Sequence, residues 1–286
     1  VAYTTGTAAN YKDLLAIMTS FAAANGWVVM EQSETRVHLK GTGLAGLDEI
    51  YVGVETYEDP PNNRFNWSMV GSWGYRAGRT LADQPFSSCY KGATVDQQVA
   101  YLWNSSIPYW MVCTPRRMIV EAKIGTTYQT IWLGLLSVPA TDAQYPYPLF
   151  IGGSGNSLLL NYSGTQHCFW HSDGYYTGKL SMPGGYWGTL GNNSDTITSP
   201  DLEVMTFNEA NKLTMLTALD GSYLLEPFYI RPISIHGIMG QLDGLCRVTG
   251  YNNSSENIIT VDGVNWMVFQ DSARVGYNDY MAMRLN

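Results

Sequence analysis

Residues 107–135 read IPYWMVCTPRRMIVEAKIGTTYQTIWLGL, and the fold turns on how this stretch is taken. The runs YWMVC, MIVEAKI and YQTIWLGL are rich in β-branched and aromatic residues. Two short turn signals separate them, Thr114-Pro115-Arg116-Arg117 and Gly125-Thr126-Thr127. Runs of this length bounded by Pro and Gly signal strands, and turns this short join antiparallel neighbours. The stretch is therefore expected to form an antiparallel meander with its apolar positions buried. PATDAQYPYP, residues 139–148, ends it.

Upstream, NYKDLLAIMTSFAAANGW (10–27) carries Leu14, Leu15, Met18, Phe21 and Ala22 at helical spacing on one face. Asn10 supplies an N-cap, Asp13 suits the positive end of the helix, and Asn25-Gly26 provides a left-handed stop. Then come the strand signals WVVMEQ, TRVHLK, EIYVGVETY and RFNWSMVG. In TRVHLK, Val37 and Leu39 alternate with Arg36, His38 and Lys40. EDPPNN (58–63) is a turn, because paired prolines cannot donate to a central ladder. Residues 72–106 are Gly-rich and polar, and read as a long loop with a short helical piece at VDQQVAYLW.

Downstream, Tyr145-Pro146-Tyr147-Pro148 fixes two φ angles and biases the residues before each proline to extended backbone. It reads as a stiff joint that delivers Leu149-Phe150-Ile151 to a core or strand. The second half carries Asp-Gly pairs at 173–174, 220–221, 243–244 and 262–263, all read as turns. The last, between NIITV and VNWMVFQ, is the clearest two-residue hairpin. HSDGYYTGKLSMPGGYWGTLGNN (171–193) is expected to be a surface excursion. The fold class that follows is α+β and β-dominated: an N-terminal helix on an antiparallel sheet, then a meander and a sandwich-like second half. A soft boundary falls near residue 155, giving an α+β domain over 1–155 and a β-rich domain over 156–286.

Composition narrows the function. Of 286 residues, 45% are hydrophobic and only 14% charged, against about a quarter charged in ordinary soluble domains. Twenty Tyr and nine Trp must then cover part of the exterior, and such rings give large rigid contact area at low entropic cost. A net charge of −8 argues against nucleic-acid binding, which needs a basic face, and Arg116-Arg117 is too short to make one. No apolar run is long enough to span a bilayer. VAYTTGTAANYKD has neither the basic start nor the apolar stretch of a secretory signal. Cys89, Cys113, Cys168 and Cys246 form no CxxC pair and are expected to be free and mostly buried.

Several motifs invite a chemical reading and do not sustain it. GTGLAG (41–46) matches G-x-G-x-x-G, but a strand signal follows where a dinucleotide site needs a helix N-terminus. His167, Cys168 and His171 cluster in HCFWH, yet on a strand the histidines lie roughly 13 Å apart, too far for one metal. GGSGN fails the nucleophile-elbow pattern at its last position. The expectation is therefore no enzyme, no cofactor and no metal site. The aromatic and Gly-rich loops offer the candidate contacts: Tyr145, Tyr147, Tyr175, Tyr176, Tyr186 and Trp187. They suit either a subunit interface or a sugar platform.

IPYWMVCTPRRMIVEAKIGTTYQTIWLGLLSVPATDAQYPYPLFIGGS (107–154) resembles a family of tailed-bacteriophage virion structural proteins, in which a Tyr-Trp strand precedes an Arg-Arg turn and a YPYPL–IGGS segment closes the block. YTTGTAANYKDLLAIMTSF, LKGTGLAGLDEIYVGVETY and the C-terminal GQLDGLCRVTGYNNSSENIITVDGVNWMVFQ look similar too. The resemblance implies a building block of the tail tip or baseplate that carries no catalytic residues. It would assemble in the host bacterial cytoplasm with other virion proteins, as a homo-oligomer, trimer or hexamer. The alternative is a receptor-binding module of the tail that recognises host-surface glycan.

Overall fold

Helix α1 (Tyr11–Ala24) starts where the sequence places it. Asn10 is extended, and its side-chain oxygen accepts from the backbone N–H of Lys12 at 2.9 Å and Asp13 at 3.0 Å. Asp13 in turn accepts from Ala9 N–H at 2.7 Å, so three backbone donors are satisfied, two of them in the first turn of the helix. Leu14, Leu15, Met18 and Ala22 are buried, and Gly26 stops the helix at φ +95°.

The structure, a computed structural model, describes residues 1–43, 49–89, 95–139, 145, 147–163, 177–190, 201–205, 221–232, 237–270, 276 and 280–286. It is α+β and β-dominated, as expected. The smaller sheet has six strands in the order β11-β6-β5-β4-β3-β2. These are β2 (Val28–Gln32), β3 (Arg36–Thr42), β4 (Glu49–Asp59), β5 (Arg64–Ser72), β6 (Val95–Ala100) and β11 (Gly155–Ser157). The larger sheet begins with β1 (Ala2–Ala8), β7 (Ile107–Thr114), β8 (Arg117–Ile124), β9 (Thr127–Leu135) and β10 (Leu149–Gly152). It continues through β12 (Gly178–Met182), β13 (Tyr186–Leu190), β14 (Asp201–Met205), β15 (Glu226–Pro232) and β16 (Gly240–Val248). β19 (Tyr280–Arg284), β18 (Val264–Gln270) and β17 (Ile258–Val261) close it. Pairing is antiparallel except between β13 and β14. The hydrogen-bonded ladder crosses residue 155, since β10 pairs with β12. No described helix is long and apolar enough to cross a membrane.

The β7–β9 meander forms with register Tyr109↔Ala122 and Ile119↔Trp132, and both of its faces are buried. Met111, Val120 and Leu133 face α1 and the smaller sheet, in one core. Val112, Ile119 and Trp132 face a second core shared with β15, β16, β18 and β19. Gly134 (φ +140°) lets the end of β9 pair closely with the start of β8, because a Cβ there would sit 2.3 Å from the carbonyl oxygen of Arg116.

Three local expectations need correction. VDQQVAYLW opens as strand β6, not a helix, because Ser68↔Val99 and Trp67↔Ala100 pairing with β5 outweighs a weak helical signal. Asp243-Gly244 is no turn. It lies inside β16, where Gly244 at φ +91° accompanies a register shift against β15. The excursion expected over 171–193 contains a buried strand, GKLSM, and Gly178 admits it by leaving room for Leu190 and Phe150. His38 lies on the strand face opposite Val37 and Leu39, as the alternation implies, and is fully buried beside Tyr75 of the 73–88 loop. The Asp262-Gly263 hairpin is as expected, with φ +51° and +75° and Val261↔Val264 flanking it. Asp173-Gly174, Asp220 and HCFWH lie outside the described residues, as do positions 44–46 of GTGLAG.

Candidate functional site

Leu149, Phe150 and Ile151 are fully buried in β10, and Tyr145 is buried with them. Its hydroxyl donates to the carbonyl oxygen of Ser181 in β12 at 2.6 Å. Burial, with Tyr186 nearby, raises the Tyr145 phenol well above its ordinary value. Tyr145 was expected among the contact residues. At 3% exposure it offers almost no surface of its own and is tied to β12 through its hydroxyl.

Tyr147 is half-buried and stacks on Trp73 with ring centroids 5.1 Å apart. Trp73 lies 3.8 Å from Phe86, and Phe86 lies 5.9 Å from Trp187. The interplanar angles are 27°, 30° and 29°, so four rings drawn from three distant parts of the chain form one ladder. Ser181 is the hub: it pairs across the sheet with Trp187, and its Oγ accepts from Trp73 Nε1 at 2.9 Å. Trp187 Nε1 donates to the carbonyl oxygen of Phe86 at 3.1 Å. Tyr186, 39% exposed, stands beside the ladder at the tip of the β12–β13 hairpin.

Trp73 and Phe86 come from a loop, 73–88, that the sequence reading left without a role. The loop is self-supporting. Trp73 N–H donates to the Pro85 carbonyl, and Ser88 N–H to that of Gly71. The buried Gln84 side chain holds Arg76 N–H at 2.7 Å and also donates to the carbonyls of Arg76 and Arg79. Phe86 has φ +53°, a left-handed backbone that a bulky aromatic adopts only when its surroundings enforce it. That conformation aims the ring between Trp73 and Trp187. The signal for this rung was faint in sequence, one Trp and one Phe amid Gly, Ser and Pro.

Chemically the ladder offers area rather than reactivity. The two inner rings each have neighbours on both sides, and both indole N–H groups are engaged internally. Among the described residues no group of three or more His, Cys, Asp or Glu is placed to hold a metal ion. Cys113 and Cys246 are free, with thiols pushed by burial up to about 12, so both are poor nucleophiles. Tyr175 and Tyr176 lie outside the described residues. The structure thus gathers Tyr145, Tyr147, Tyr186 and Trp187 around Ser181. Comparison with known proteins finds no family model and no curated sequence that matches this chain.

Proposed function

We propose that the chain is a structural component of a tailed-phage virion, at the tail tip or baseplate, and acts by protein–protein assembly. The family resemblance of residues 107–154 motivates the setting. The observation that favours assembly over sugar recognition is the ladder. Carbohydrate platforms offer open ring faces with polar donors close by. Here the inner faces are stacked on one another, and the indole donors are already engaged. Rigid half-exposed aromatics of this kind supply desolvated contact area to a protein partner without a large ordering penalty.

The test is the position and copy number of the chain in purified particles, by quantitative mass spectrometry and antibody-labelled electron microscopy. A small symmetric set at the distal end of the tail supports the reading. Abundance on the head, or absence from the particle, sinks it. Saccharide binding that vanishes in a Tyr186→Ala, Trp187→Ala double variant would instead favour the glycan-binding alternative.

A further inference from the structure

The two sheets have four edges: β11 and β2 on the smaller, β17 and β1 on the larger. Three of them are guarded against pairing with another chain. β11 is three residues long, and its register with β6 is broken. β2 has a register shift between Val29 and Glu31 and sets a carboxylate in the strand. β17 is four residues long and runs straight into the Asp262-Gly263 turn. Short strands, bulges and inserted charges are the usual means of blunting an edge.

β1 has none of these guards. AYTTGTA pairs with β7 residue for residue, from Ala2↔Cys113 to Ala8↔Ile107, with no shift. It holds no charged residue and no proline, in a chain of net charge −8. Its threonines and tyrosine favour extended backbone. Gly6, which in a strand often marks a bulge, is explained from within: a Cβ there would lie 2.7 Å from the Tyr109 hydroxyl. Thr5, Gly6 and Thr7 are exposed. The sheet order ends at β1, so its outer N–H and C=O groups face no described strand. Seven residues give about 24 Å of regular ladder.

We propose that β1 is a self-association edge, on which a second copy of this chain adds its own β1 antiparallel across a two-fold axis. An antiparallel strand set against itself brings together positions equally distant from the axis. With the axis at Thr5, Thr5 faces its counterpart, Thr4 of one copy faces Gly6 of the other, and Tyr3 faces Thr7. Every such pair is uncharged, so two acidic chains meet there without like-charge repulsion. Aromatic and β-branched side chains directly opposite each other are a favourable cross-strand pair, and Tyr3 with Thr7 is of that kind. The thirteen-stranded sheets of two copies then run on as one. The inference does not rest on the virion reading, which concerns where the protein sits rather than what this edge binds.

Sedimentation velocity of the whole chain over a range of concentrations is the test, and the parent is expected to form a dimer. Thr5→Lys and Thr5→Glu each set like charges directly opposite at the axis, and each should weaken the dimer about tenfold or more. Mixing the two variants should restore it, because opposite charges then meet. Thr5 is exposed at the rim of the sheet, so both variants are expected to fold. Hydrogen exchange of the parent supplies a reading that needs no variant: outer amides within residues 3–7 should gain protection as concentration rises. The proposal is overturned if the parent stays monomeric at every concentration, which would leave the edge to an extended segment of another protein. It is equally overturned if the folded variants dimerise as tightly as the parent, or if residues 3–7 exchange alike in monomer and dimer.

Discussion

The β7–β9 meander and the aromatic ladder are both dense in Trp and Tyr, yet they use these rings in opposite ways. In the meander, Trp132 is fully buried and lies 5.6 Å from Phe150. In the ladder, Tyr147, Trp73, Phe86 and Trp187 are fixed just as firmly but remain half-exposed. Rings of the first kind hold the protein together. Rings of the second kind are ordered beyond what folding requires of a surface, and Phe86 adopts a left-handed backbone to complete the set. Strain retained at a half-exposed site points to recognition rather than stability.

The largest effect is expected where the meander is attacked. Trp132→Ala should cost about 3–5 kcal/mol in denaturant unfolding, from lost burial plus the cavity left between two packed faces. A loss under about 1 kcal/mol would mean that the meander is not the core it looks to be, and the contrast would fail.

A middle-sized effect separates the ladder from the meander. Trp187→Ala removes one stacking contact, worth about 0.5–1.5 kcal/mol, and one hydrogen bond, worth about 1 kcal/mol. The isolated chain should therefore lose only about 1.5–2.5 kcal/mol, while incorporation into particles falls sharply. A stability loss near that of Trp132→Ala would reassign the ladder to the folding core. Unchanged incorporation would leave it without the role proposed above.

Sequence alone made these two regions unequally legible, for a physical reason. The meander is local: strand, turn, strand, turn, strand, each written in adjacent residues, and its turns allow one pairing. The α1 cap at Asn10 and the Asp262-Gly263 hairpin are local in the same sense. The ladder is not. Tyr147 and Trp187 could be singled out as candidates because aromatics beside Pro and Gly draw notice. Their partner Trp73 sits 74 positions before Tyr147, and nothing in the pattern around residues 73–86 says which sheet seam the loop will cover. Asp243-Gly244 and β6 were misread for the same reason. Long-range pairing, with its own bulge and register, set their conformation against the local preference.

The smallest expected effect is a pH response confined to the ladder's support. His38 lies under the loop that carries Trp73 and Phe86, with its ring 5.1 Å from that of Tyr75, and Gly53 leaves the space that Leu81 and the imidazole fill. Glu31 faces it, with Oε2 3.6 Å from His38 Nδ1 and accepting from the Tyr75 hydroxyl at 3.0 Å; Arg36 and Glu55 are the other nearby charges. Burial outweighs the attraction of Glu31 and lowers the His38 imidazole below its ordinary 6.5. The imidazole is then neutral in the fold while the unfolded chain takes up a proton near that value. Its stabilising contribution is therefore complete above about pH 6.5 and is lost progressively as pH falls from there toward the folded value. Thermal midpoints should drop between about pH 7.5 and about pH 5.5, and the drop should shrink in His38→Gln. Because a charged ring must be rehydrated, the overlying 73–88 loop is the part that must lift, so Trp73 fluorescence should shift with the same midpoint. A midpoint that rises on acidification would show Glu31 prevailing over burial. The loop would then be clamped by a charge pair that tightens as pH falls, and the ladder's support would respond to acid in the opposite direction.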